Sequence, residues 1–204
     1  DYDKDGDLDV YLLRNSFVNY SRNMSRPKMI NGEAYSTDKL LRNNGNNTFT
    51  DVSREAGILI EGFGLGINIC DINRDGWQDI YVSNDFLSND LIWINNQNGT
   101  FSNQAPKMLK HQTFNGMGND VADYNNDGLV DVVVLDMLPG DNKRWKLTPR
   151  GNTFDEFEKG LKLGYEPQYI RNTLQLNNGN GTFSDISQLA GIEATEWSWS
   201  ALFA

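Results

Sequence analysis

Three short stretches of the chain place carboxylates at a spacing that suits a hard cation. They are DYDKDGDLDV at 1–10, DINRDGWQDI at 71–80 and DYNNDGLVDV at 123–132. Each reads Asp-x-Asp/Asn-x-Asp-Gly-x-x-Asp, followed by Val or Ile. Like charges on alternate residues repel, and in a strand they also share a face. A positive ion among them removes that conflict. Calcium takes roughly six to eight oxygens at about 2.3–2.6 Å, and the Gly at the sixth position permits the sharp turn that brings a backbone carbonyl round. Magnesium fits less well, since it demands a rigid octahedron and keeps its waters. The first loop offers the side chains of Asp1, Asp3, Asp5 and Asp9 and the carbonyl of Asp7. The second offers Asp71, Asn73, Asp75 and Asp79 with the Trp77 carbonyl. The third offers Asp123, Asn125, Asp127 and Asp131 with the Leu129 carbonyl. About three Ca²⁺ ions are therefore expected.

Asp-Gly and Asn-Gly are also ordinary turn residues, and one such stretch alone would be a turn as readily as a site. Three copies with matched spacing favour metal. An EF-hand is excluded on two counts. Its twelfth position is a bidentate Glu and a helix follows. Here the twelfth positions are Leu12, Val82 and Val134, and the runs that follow, VYLL, IYVS and VVVL, are β-branched and aromatic, as strands are.

Other chemistry is thinly supplied. The single histidine, His111, has no nucleophile motif beside it and is expected to be a surface or turn residue. The single cysteine, Cys70, excludes an intrachain disulfide and sits in an alternating strand pattern, as a small core residue. The carboxylates outside the loops, among them Asp85, Asp90, Asp136 and Glu156, show no acid–base pairing. Tryptophans 93, 197 and 199 fall in strand-like runs and are expected to pack in or between sheets. A formal net charge of −10 argues against a nucleic-acid partner. No run of 18 or more apolar residues is present, so no membrane span is expected.

The elements that must hold the loops also repeat. GLGINIC (64–70), GMGNDVA (116–122) and SWSALFA (198–204) each begin small-x-small and continue as a strand; in register, an Asp opening a fourth loop would follow residue 204. Downstream, LLRNNGNNTFTDVS (40–53), LIWINNQNGTFSNQ (91–104) and LQLNNGNGTFSDIS (174–187) each read as a hairpin, with Phe49, Phe101 and Phe183 in equivalent places as core residues. Strand, acidic loop, strand and hairpin make four short strands per unit, which is the construction of a β-propeller blade. One blade cannot bury both its faces, so neighbours must stack on it.

The fold expected is all-β: a partial propeller of about three four-stranded blades, with calcium loops between strands and short helices only in insertions and blade connections. The units run over about 1–62, 63–115 and 116–196, with the start of a fourth at 197–204. Insertions at about 14–37 and 139–170 interrupt the first and third. Thr153 and Glu156 can form a capping box for a short helix in the second insertion. Both insertions are rich in Arg, Lys, Asn and Tyr, as a binding surface or as packing against neighbouring blades.

The stretch GFGLGINICDINRDGWQDIYV resembles an FG-GAP/VCBS-type repeat, the blade unit of the integrin α-chain propeller and its bacterial relatives. Phe63 and Gly64 supply the Phe-Gly pair, and 71–79 the calcium loop. The third unit has NGMG where Phe-Gly would stand. Residues 167–204 resemble the bacterial proteins that carry such repeats ahead of an ASPIC/UnbV domain, related to cartilage acidic protein. The resemblance implies a propeller of about seven blades when complete and an extracellular, cell-surface or periplasmic location. It also implies a non-catalytic binding or adhesion scaffold with structural calcium, and a protein or glycan ligand. The alternative is a carbohydrate-active or glycan-binding propeller with its site on the insertions.

Overall fold

A computed structural model describes residues 1–18, 26–147 and 153–204. Parts of both insertions, 19–25 and 148–152, lie outside the described residues. The first sheet holds β1 (Val10–Leu12), β2 (Lys39–Asn43) and β3 (Phe49–Asp51), antiparallel and in that order. The second is a four-stranded meander of β4 (Gly64–Cys70), β5 (Asp79–Asn84), β6 (Leu91–Asn95) and β7 (Phe101–Asn103). A four-residue helix α1 (Ala105–Met108) and the short strand β8 (Gln112–Thr113) lead to the third sheet. It contains β9 (Gly118–Ala122) and β10 (Asp131–Leu135) and, after the second insertion, β12 (Thr173–Asn177) and β13 (Phe183–Asp185), again a meander. The insertion holds helices α2 (Asn142–Leu147) and α3 (Phe154–Lys162) and strand β11 (Gln168–Tyr169), which pairs in parallel with β8. Helix α4 (Ser187–Ala190) follows β13. The helices thus fall in an insertion and in blade connections, as expected, and a capping box between Thr153 and Glu156 starts α3.

The alternation of side chains along the central strands builds two cores at once. Ile80 and Val82 of β5, with Leu91 and Trp93 of β6, pack against Tyr2, Leu40 and Val52 of the first unit. Their neighbours Tyr81 and Ile92 face the other way, onto Val132, Val134 and Phe183 of the third. Val133 and Leu135 continue the pattern, packing with Leu174, Ile186 and Phe203. The middle sheet is therefore buried on both faces, and all six residues of β5 are buried. Burying so many β-branched and aromatic side chains at about 25 cal/mol per Å² of apolar area is the main force stacking the sheets.

The small-x-small pattern answers to the crowding of the innermost strands. A Cβ on Gly66 would lie 2.6 Å from the Ser83 hydroxyl and 2.9 Å from the Asn119 backbone nitrogen, so β4 can approach β9 only with glycine there. Asn68 donates to the Asn119 carbonyl at 3.2 Å, and Asn119 donates to Ser83 at 2.9 Å, tying the two inner strands together.

Several expectations are corrected. Within the 204 residues the first sheet has three strands rather than four, because its acidic loop opens the chain. Residues 197–204 form no strand, and Trp197 and Trp199 are 56% and 61% exposed rather than packed between sheets. They still lie beside β9: the Trp199 carbonyl comes within 2.6 Å of where a Gly118 Cβ would stand, and the Phe203 amide donates to Asp120 at 2.7 Å. Phe101 and Phe183 are buried, but Phe49 is 48% exposed. The reason is geometric: this position faces the preceding sheet, and the first sheet has none on that side.

Candidate functional site

The three acidic loops adopt one backbone shape. The fourth residue of each is left-handed, with φ of 59° at Lys4, 62° at Arg74 and 61° at Asn126, and so is the sixth, with 96° at Gly6, 84° at Gly76 and 82° at Gly128. Two left-handed residues separated by one curl the chain so that the odd-numbered side chains turn inward. In the second loop Asp71 accepts from the amides of Asp75 (3.0 Å) and Gly76 (2.7 Å), Asn73 accepts from Asp75 (3.0 Å), and Asp75 accepts from Trp77 (2.9 Å). The third repeats this with Asp123 to Asp127 (3.0 Å) and Gly128 (2.8 Å), Asn125 to Asp127 (3.0 Å) and Asp127 to Leu129 (2.8 Å). In the first, Asp5 accepts from the Asp7 amide at 2.9 Å. There Asp1, Asp3 and Asp9 each bring a carboxylate oxygen within 4.8 Å of the other two. Asp5 and Asp7 stand outside that trio. Among the described residues no other three acidic, His or Cys side chains converge so closely; in the later loops Asn replaces the second carboxylate.

The ninth residue is the root of each loop. Asp79 and Asp131 are fully buried, and burial raises both carboxyl pKa values, Asp79 to about 6. Backbone donors oppose this: Asn95 and Ile72 at Asp79 (2.8 and 2.9 Å), and Asn177 at Asp131 (2.8 Å). Asp9 accepts in the same way from Asn43 (2.9 Å) and Tyr2 (3.1 Å). Oδ2 of Asp131 is buried without a hydrogen bond of normal geometry. At exposed Asp75 desolvation is the largest single influence and raises the pKa, but the Trp77 amide, the Gln97 and Asn73 side chains and Lys4 together outweigh it, so the pKa is lowered.

An asparagine outside the expected ligand set joins each loop to its hairpin. Asn43, Asn95 and Asn177 use the backbone amide to hold the ninth aspartate. Each side chain donates to the carbonyl just before that aspartate, at Leu8 (3.1 Å), Gln78 (3.4 Å) and Val130 (3.2 Å). Each side-chain oxygen accepts from the turn, at Gly45, Gln97 and Gly179. The signal was present as the first Asn of the Asn-Asn pair in all three hairpin blocks.

A second set of repeated polar residues lies at the opposite end of the same strands. Asp38 accepts from the Tyr11 hydroxyl (3.0 Å) and the Arg14 amide (2.8 Å); Asp90 accepts from the Tyr81 hydroxyl (2.9 Å) and the Asn84 amide (2.9 Å). Burial pushes both carboxyls up to about 7. In the third unit Val133 stands where the tyrosines are, and Asn172 replaces the aspartate, still accepting from the equivalent Asp136 amide at 2.7 Å. Where the hydroxyl donor is lost, the acceptor is uncharged. Asp136, pushed up by burial to about 6, accepts from the amides of Phe114, Asn115 and Met137.

The two insertions dock on each other. Buried Glu61 pairs with Arg26 and accepts from the Met29 amide (2.9 Å) and the Tyr165 hydroxyl (3.0 Å). Lys28 donates to Glu166 at 2.6 Å and Asn89 at 3.1 Å, and its amide donates to the Leu163 carbonyl at 2.9 Å. His111 is not a free surface residue: its Nε2 lies 2.8 Å from Asp185, which also pairs with Arg171 at 3.2 Å. Burial works against ionisation of Asp185, but donors from His111, Ser187 and Leu174 win and hold it well below the usual range. Cys70 is partly buried, and burial pushes its thiol up to about 12.

Stacked antiparallel meanders, each with an acidic loop leading into a strand, define a repeat module of the β-propeller type. The FG-GAP-like repeat matches residues 1–82 and again 71–134. Together these cover more than half of the chain, and the chain belongs to the FG-GAP-like repeat family. No curated protein matches it. Among the described residues no helix is long and apolar enough to cross a membrane.

Proposed function

We propose that this chain is a calcium-binding, non-catalytic scaffold of an exported protein, extracellular, cell-surface or periplasmic, in which the metal is structural. The convergence of Asp1, Asp3 and Asp9 supports it most directly. Ligands around one calcium ion lie at most about 5 Å apart, twice the usual metal–oxygen distance, and the three carboxylate oxygens lie within 4.8 Å of one another. The donors are oxygens only, as a hard cation requires. Asp1, Asp3, Asp5, Asp9 and the Asp7 carbonyl would hold one ion. Asp71, Asn73, Asp75, Asp79 and the Trp77 carbonyl would hold a second; Asp123, Asn125, Asp127, Asp131 and the Leu129 carbonyl a third. Bound calcium supplies positive charge that cancels repulsion among the carboxylates. The asparagines at 43, 95 and 177 transmit the order of the loop to the hairpin.

Resemblance over 167–204 supports placing the chain in the ASPIC/UnbV-associated subgroup. Apolar residues exposed at both ends of the stack, Val10, Leu12 and Phe49 on one side and Trp199 and Leu202 on the other, support further blades as neighbours. The test is thermal unfolding in chelator, in millimolar calcium and in millimolar magnesium. Sites of about 10⁻⁴–10⁻³ M affinity, typical of extracellular modules, stabilise by about 1–3 kcal/mol each at 10 mM calcium. The melting temperature should rise with calcium concentration and respond far less to magnesium. Identical transitions in chelator and calcium would overturn the proposal.

A further inference from the structure

The fourth residue of each loop does more than turn the chain. Left-handed backbone favours Gly or Asn, and the third loop has Asn126 there. The first two loops instead place a long cation at this position, Lys4 and Arg74, at the same φ. Neither side chain stays over its own loop. Lys4 Nζ sits 4.1 Å from the centroid of the Trp77 ring, in the second loop. Arg74 reaches onward in the same sense, its Nη1 3.9 Å from where a Cβ on Gly128 of the third loop would stand. The two cations therefore step from loop to loop along the edge of the stack, and the second loop lies between them.

We propose that Lys4 and Arg74 are inter-loop counterions that set the metal affinity of the loops they bridge, leaving the second loop the weakest of the three. The inference rests on the calcium function proposed above. With no divalent ion present, each cation relieves repulsion between adjacent acidic loops and helps hold neighbouring blades in register. When an ion enters, the same cation repels it. One such charge roughly 8–10 Å from a divalent ion across solvent weakens its binding by about two- to five-fold at low ionic strength, and by less once salt screens it.

The second loop carries its own reporter, because Trp77 is the one tryptophan in any of the three loops. Terbium, a luminescent stand-in for calcium, is excited by energy transfer from a nearby indole, so emission excited through tryptophan reads this loop, and calcium competition gives its affinity. Methionine keeps the length and apolar stem of both side chains and removes the charge. In Lys4→Met/Arg74→Met the midpoint should fall about two- to five-fold at low salt, the difference should shrink at high salt, and melting in chelator should drop below wild type. The single variant Lys4→Met should show part of each effect. An unchanged midpoint in variants that melt lower would mean that the side chains only pack, and would overturn the counterion role alone. Absence of sensitised emission in the wild type, together with no calcium effect on melting, would overturn the calcium function and this inference with it.

Discussion

Asp90→Asn should make the protein more stable, and by more at pH 8 than at pH 5. Asp90 is 1% exposed and accepts hydrogen bonds from the Tyr81 hydroxyl and the Asn84 amide, while its own amide donates to Gln112 at 2.7 Å. No cation is among these partners, and the charge of Asp136 acts in the same direction as burial. The carboxyl is accordingly raised from 3.8 to about 7. Between those values the folded chain keeps a proton that the unfolded chain has released, so stability is highest below about pH 4 and falls as pH rises to about 7. At about 1.4 kcal/mol per pH unit the cost approaches 4 kcal/mol, an upper figure since water and relaxation reduce it. An Asn at 90 keeps the acceptor for the Asn84 amide, and the Tyr81 hydroxyl can rotate to accept from the new amide. The third unit already carries this solution in Asn172. The assay is urea unfolding of both proteins from pH 5 to pH 8 in chelator, which keeps the acidic loops in one state. The difference in unfolding free energy should grow by about 2–3 kcal/mol between pH 5 and pH 8. A difference that does not change with pH would refute the reasoning.

Glu61→Gln should cost about 3–5 kcal/mol in urea unfolding, because it breaks the ion pair of a fully buried carboxylate and weakens the junction with Tyr165; a loss below about 1 kcal/mol would mean that the insertions do not depend on this contact. Gly66→Ala should destabilise by about 1–3 kcal/mol, since the new methyl has backbone 2.9 Å away. Gly160→Ala, inside α3 with open space around it, should stabilise by up to about 1 kcal/mol, and thermal melting of the two variants should move in opposite directions.

Much of this protein was legible from residues near each other in the chain. Loop spacing, the strand runs behind each loop and the Asn/Gly turns are local signals, and the φ angles at Lys4, Arg74 and Asn126 show three similar sequences taking one shape. The capping box of α3 needs only Thr153 and Glu156. The asparagines at 43, 95 and 177 were equally local, but their role depends on a hydrogen bond to an aspartate 16 to 46 residues away. Trp199 and Phe49 were misjudged because an apolar residue in a strand-like run has two faces, and only the neighbouring sheet decides which is covered.

What the sequence determined by itself is the repeating unit: an acidic loop, its flanking strands and a hairpin, all specified by spacing and turn chemistry within about 50 residues. What the tertiary structure alone decided is the fate of the polar residues between units. Glu61 meets Tyr165 across 104 positions and Lys28 meets Glu166 across 138, so the two insertions, indistinguishable from free binding loops in sequence, close on each other. Such contacts leave no periodicity or motif behind. Each contact holds a charged residue whose burial makes sense only once its partner has been brought beside it.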